Sequence, residues 1–149
     1  MAIYFLDTSA VIKRYVKEIG TAWVQALTLP TAPHSHFLAR ITWVETISAV
    51  TRRERSGHLS PPGAAGALSD FQQDFGRQYI PVEISAALIG HAGSLARLHA
   101  LRGYDAVQLA AALEVRAKIP SLILVSADAA LNTAAAAEGL QVEDPNTHP

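Results

Sequence analysis

Four acidic residues stand out by position: Asp7, Glu45, Asp105 and Asp128. Asp7 and Asp128 each follow an unbroken apolar stretch, Ala2-Ile3-Tyr4-Phe5-Leu6 and Leu122-Ile123-Leu124-Val125. Asp105 opens an alanine-rich helical stretch after Gly103, and Glu45 lies within Ile41-Thr42-Trp43-Val44-Glu45-Thr46-Ile47. Carboxylates gathered in one pocket repel one another, and a divalent cation relieves that repulsion. Oxygen ligands in a chain without cysteine favour magnesium or manganese over zinc. Such an ion activates water and supports the charge that builds on a phosphodiester under in-line attack. Ser9 could orient a phosphate or a metal-bound water, and Ser126 could act similarly. Each acid also has a simpler reading. Asp7 and Asp128 could cap helices, Asp105 could sit at a helix start for its dipole, and Glu45 could pair with Arg52 or Lys13.

These residues need elements that bring them together. An apolar run without alternation suits a strand covered on both faces of a parallel sheet. Strands are expected at 2–6, 35–40, 79–84, 122–125 and 140–142, with Pro81 marking an edge or a strand end. Helices are expected at 8–17, 21–28, 42–56, 63–78, 85–101, 104–117 and 128–138. In the third, Ile41, Val44, Ile47 and Val50 should point inward. The alternation implies an α/β fold, a central parallel sheet with helices on both faces. If the strands before Asp7 and Asp128 are parallel neighbours, both carboxylates face one crevice at the strand ends.

Bulk properties narrow the classes. The 149 residues suit one domain, 1–149, with 143–149 a frayed tail. Apolar residues make up 50% and charged residues 17%, which excludes a disordered chain. A net charge of −1 means any nucleic-acid surface must be local. No apolar run approaches the ~20 residues needed to span a bilayer. The start lacks a secretory signal, so a cytoplasmic location is expected.

At these residues the sequence resembles the PIN-domain ribonucleases, specifically the VapC-type toxins of VapBC toxin–antitoxin pairs. The matching stretches are Phe5-Leu6-Asp7-Thr8-Ser9-Ala10, Val44-Glu45, Gly103 to Ala112, and Leu124-Val125-Ser126-Ala127-Asp128. The resemblance implies a three-layer α/β/α sandwich. It also implies a magnesium- or manganese-dependent endoribonuclease, with Asp7, Glu45, Asp105 and Asp128 as the acidic site and Ser9 as a polar helper. Homodimers and a small antitoxin that blocks the site are further implications. Some relatives carry another acid or an asparagine just after the last aspartate; here Ala129 and Ala130 follow, and Asn132 is the nearest polar residue.

Two other readings compete. A haloacid-dehalogenase-type phosphatase also starts from an aspartate at a strand end, but needs a second aspartate where this chain has Ser9. A catalytically silent PIN-like regulator would bind RNA or a partner without cutting. Among the cations, Lys13, Arg14 and Lys17 are better phosphate candidates than Arg52, Arg53 and Arg55. Trp23, Trp43 and Tyr104 are expected to pack in the core or a dimer interface, and His34 and His36 to lie on the surface.

Overall fold

The computed structural model describes residues 1–149. Five strands form one parallel sheet: β1 (Ile3–Leu6), β2 (Ser35–Ala39), β3 (Tyr79–Val82), β4 (Ile123–Val125) and β5 (Gln141–Glu143). Their order is β3-β2-β1-β4-β5. β1 is therefore central, and Pro81 does lie on an edge strand. The helices are α1 (Thr8–Tyr15), α2 (Thr21–Leu27), α3 (Thr42–Arg55), α4 (Pro61–Arg77), α5 (Ala86–His99), α6 (Gly103–Lys118) and α7 (Ala129–Ala137).

Alternate strand residues feed opposite cores, because side chains leave a strand on alternating faces. Phe5, Ala39, Val82 and Leu124 meet Leu88 and Leu95 of α5, Leu109 of α6 and Leu131 of α7. Their neighbours Leu6, Leu38 and Val125 meet Val11 of α1, Leu27 of α2 and Phe71 of α4. The result is the expected α/β/α sandwich. A third cluster joins Ile12 and Val16 of α1 to Ala49 and Val50 of α3 and Ala64 and Ala67 of α4. No helix is long and apolar enough to cross a membrane.

The sheet has one topological switch point. From β1 the chain steps outward to β2 and β3, then returns to place β4 on the other side of β1. At such a point the connections leave the sheet in opposite directions and open a crevice at the carboxyl ends of the strands. Tyr4, Phe5 and Leu6 pair in parallel with Ile123, Leu124 and Val125, so both strands end level with each other.

Three expectations need correcting. The tail is not frayed: a 3-10 turn spans Pro145–Thr147, Pro145 is buried, and the His148 ring stacks on Trp23 at 4.3 Å. Gly20 makes this seat possible, since a Cβ there would meet the Pro145 carbonyl oxygen at 2.3 Å. His36 is not on the surface; its Nε2–H donates to the Leu27 carbonyl at 2.8 Å. The phase of α3 also differs. Val44 is 57% exposed, whereas Thr42 and Thr46 are buried.

Candidate active site

The end of β1 delivers Asp7 into the crevice. Its backbone N–H donates to the Val125 carbonyl at 3.0 Å, continuing the ladder one residue past the strand. Its carboxylate caps α1 by accepting from Ser9 N at 3.3 Å. The capping role is thus real and does not compete with a chemical one, because the side-chain bonds to this carboxylate all fall on Oδ2 and leave Oδ1 free. Asp7 Oδ2 also accepts from Ser9 Oγ at 2.6 Å and from the buried Ser126 Oγ at 3.3 Å.

Those two hydroxyls tie the ends of β1 and β4 together. Ser9 Oγ accepts from Ala127 N at 2.9 Å, and Ser126 Oγ accepts from Asp128 N at 3.1 Å. Asp128 in turn caps α7 through Oδ1, which accepts from Leu131 N at 2.8 Å. Asn132 donates to the Ser126 carbonyl at 2.8 Å, so it braces this loop.

Glu45 projects from the first turn of α3 and is held by a polar knot. Gln108 Nε2 donates to Glu45 Oε1 at 2.8 Å and to Thr42 Oγ1 at 3.0 Å. The Thr42 hydroxyl then has its proton free for Thr8 Oγ1 at 3.1 Å, and Thr8 donates to Glu45 Oε1 at 3.0 Å. Gln108 Nε2 also lies 3.2 Å from Thr8 Oγ1, so its two protons are shared among three acceptors. Gln108 and Thr42 are almost wholly buried. Neither is singled out by the sequence reading. The available signal was a lone amide inside the apolar run Ala106–Leu113.

Asp105 lies in the first turn of α6. Arg102, just before that helix, bridges two acids: Nε donates to Asp105 Oδ2 at 2.9 Å and Nη2 to Asp128 Oδ2 at 3.0 Å. Arg102 is also absent from the sequence-based candidates. Its side chain is 78% exposed, while those of Asp105 and Asp128 are 15% and 24% exposed.

All four acids and Ser9 line one cavity of about 650 Å³. Asp7 bears the electrostatic load. Its carboxyl is raised from 3.8 to about 6: burial is the largest cause, the Ser9 hydrogen bonds oppose it, and the charges of Glu45 and Asp105 add to it. The cations around this cavity are not those expected. Lys13 is buried and paired with Glu18 at 3.3 Å, and Arg14 is engaged by Asp74 and the Tyr79 hydroxyl. Arg52 and Arg53 line the cavity instead. Arg53 is tied to Glu18, whereas Arg52 reaches only Ser48 Oγ at 3.0 Å. Glu45 pairs with neither Lys13 nor Arg52.

The family model described as the PIN domain matches residues 4–137. The chain belongs to the PIN-domain family. The protein named Ribonuclease VapC45 from Mycobacterium tuberculosis (strain CDC 1551 / Oshkosh) is 36% identical over 142 residues, 95% of each chain. Among solved structures, PAE2754 from Pyrobaculum aerophilum shares the fold at TM-score 0.67, with 18% identity over 98% of this chain and 91% of that one. The structure of VapBC2 from Rickettsia felis bound to a promoter DNA fragment matches at TM-score 0.62, with 15% identity over 95% and 98% of the two chains.

The donor set of this PIN domain fits a hard divalent cation in its chemistry. The acids at the cavity offer only carboxylate oxygens, and hydroxyls flank them. Asp7 is buried beside two further acids without a cationic partner of its own. No three acidic or histidine side chains are yet gathered into a closed cage. Asp105 and Asp128 are instead bridged by Arg102, and Glu45 Oε1 is bonded to Gln108. A guanidinium bridging two carboxylates already marks this place as one that calls for positive charge.

Proposed function

We propose that this PIN domain is a divalent-cation-dependent endoribonuclease acting as the toxin of a type II toxin–antitoxin pair. The observation that carries the reading is the convergence of Asp7, Glu45, Asp105 and Asp128, from four separate segments, on one cavity at the sheet's switch point. The extensive identity to a protein named a ribonuclease supports RNA as substrate. The likeness to VapBC2 supports the fold in which such a toxin works.

In this reading Asp7, Glu45, Asp105 and Asp128 would hold magnesium or manganese. The bound ion would supply an acidified water as nucleophile and relief of charge on the phosphodiester. The chain's own residues would do the rest. Ser9 and Ser126 keep the Asp7 carboxylate fixed through hydrogen bonds that need no rearrangement. Gln108, Thr8 and Thr42 hold Glu45 at one angle. Arg102, once released from the acids, is free to meet a phosphate at the mouth of the cavity. We place the protein in the cytoplasm, as a homodimer restrained by a small cognate antitoxin, with residues 1–149 acting as one domain.

RNA incubated with the purified protein should be cut in the presence of manganese or magnesium. Chelation should stop the cutting, and the added ion should restore it. Equal cleavage with chelator would remove the proposed chemistry. Saturable cation binding without any cleavage would favour the silent regulator instead.

Arg102 permits a test that needs no RNA. Arg102→Ala should tighten manganese binding several-fold by titration calorimetry, because the ion then no longer competes with a guanidinium for Asp105 and Asp128. Unchanged or weaker binding would show that the bridge does not oppose the ion.

A further inference from the structure

A second recess of about 290 Å³ adjoins the acidic cavity and shares Thr8, Glu45, Ala49, Arg52 and Tyr104 with it. One wall is an exposed ridge of α3, formed by Val44, Ser48 and Arg52 at i, i+4 and i+8. The other wall is Tyr104, in the first turn of α6 immediately before Asp105. Tyr104 is 65% exposed, so neither the core nor any other part of this chain covers the ring.

We propose that this recess is the seat of a nucleobase: the base of the nucleotide next to the scissile phosphate lies on Tyr104, with Arg52 taking the flanking phosphate. The proposal rests on the ribonuclease reading and names how that same site grips its RNA. Three features point to it. The recess is at the small end of pockets that take a compact ligand, and it has an aromatic ring on one side and a Val44 face on the other. Glu45 is among its lining residues, and a carboxylate there repels a phosphate but tolerates a neutral flat ring. Arg52 stands at the outer end of the ridge and pairs with no acid, so its charge is available to the backbone. Every base offers a π-face, and aromatic stacking needs no particular sequence. A nucleobase is favoured over a protein segment because the recess opens from the acidic cavity itself, so the nucleotide next to a phosphate held there reaches it without leaving the strand.

The test uses full-length protein carrying Asp7→Asn, so that bound RNA is not cut, and a fluorescein-labelled single-stranded RNA of mixed sequence. Adding Tyr104→Ala should weaken binding about 5- to 150-fold. Tyr104→Phe should stay close to the parent, since the ring is kept. An abasic ribose-phosphate oligomer should bind Tyr104→Ala and the parent alike. In otherwise wild-type protein Tyr104→Ala should raise KM far more than it lowers kcat, with manganese affinity unchanged. Undiminished RNA binding by Tyr104→Ala would overturn the proposal. So would equal loss with Phe and Ala, or a Tyr104 dependence seen only for capture of a protein partner. If the wild type neither binds nor cuts RNA, the ribonuclease reading itself has failed; if it cuts RNA but ignores Tyr104, only the base seat has failed.

Discussion

Asp7→Asn is expected to abolish RNA cleavage while making the cation-free protein more stable. The activity loss should exceed about a hundred-fold, because even groups that merely support a metal-holding residue cost 10- to 100-fold when removed. The stability gain follows from the buried carboxyl. Its value in the folded protein, about 6, lies above the ordinary 3.8. The folded state therefore binds this proton more tightly than the unfolded chain does. Between pH 4 and 6 the native protein holds the extra proton, so stability falls as pH rises through that window and levels off above it. The difference corresponds to about 3 kcal/mol. At pH 7 without divalent cation, the parent carries this full penalty and the asparagine variant carries none. Thermal unfolding in chelator at pH 4, 5, 6 and 7 measures it. The variant's advantage over the parent should be absent at pH 4 and largest at pH 7, and manganese should erase it by stabilising only the parent. A variant less stable than the parent at pH 7 in chelator would mean that Asp7 serves the fold.

The same contrast explains what the sequence could disclose. The runs Ile3–Leu6 and Ile123–Val125 are apolar because both faces are covered, and the acids that end them must leave the core. That much is local, and parallel pairing of the two strands brings Asp7 and Asp128 together. The phase of α3 was not local. Hydrophobic periodicity puts Val44 inward, but the face of α3 that is buried carries Thr42, whose hydroxyl is bonded to Gln108, 66 residues away in the chain. Val44 is thereby exposed beside Tyr104. Lys13 and Arg14 looked available because they are charged. Their partners Glu18, Asp74 and Tyr79 come from a following loop and from α4 and β3, which no periodicity in α1 announces. The tail looked free because it is polar. Its anchor is the approach of Pro145 to Gly20 and of His148 to Trp23.

Gln108→Leu is expected to reduce cleavage about 10- to 100-fold, although Gln108 touches neither the cavity nor any reacting group. We assign it a positioning role exerted through Glu45. Leucine is close to glutamine in size and fills the same buried space, so a cavity is not created. The substitution removes the donor that Glu45 Oε1 receives at 2.8 Å. It also removes Gln108 Oε1, a buried acceptor with no partner, which offsets part of the loss. Thr42 can still donate to Thr8, and Thr8 to Glu45, so the net change in folding free energy should stay within about 1–3 kcal/mol. A purely structural role would show as lower thermal stability with kcat intact in the cold. A positioning role should instead lower kcat and manganese affinity together at a temperature where both proteins are fully folded. Glu45→Gln separates the cases further. If Gln108 acts only by aiming the Glu45 carboxylate, adding Gln108→Leu to Glu45→Gln should cost little more, since the two residues lie in one hydrogen-bonded ring. If the two losses multiply, Gln108 serves the site by some route other than Glu45, and the ring of Thr8, Thr42 and Gln108 is part of the packing between α3 and α6.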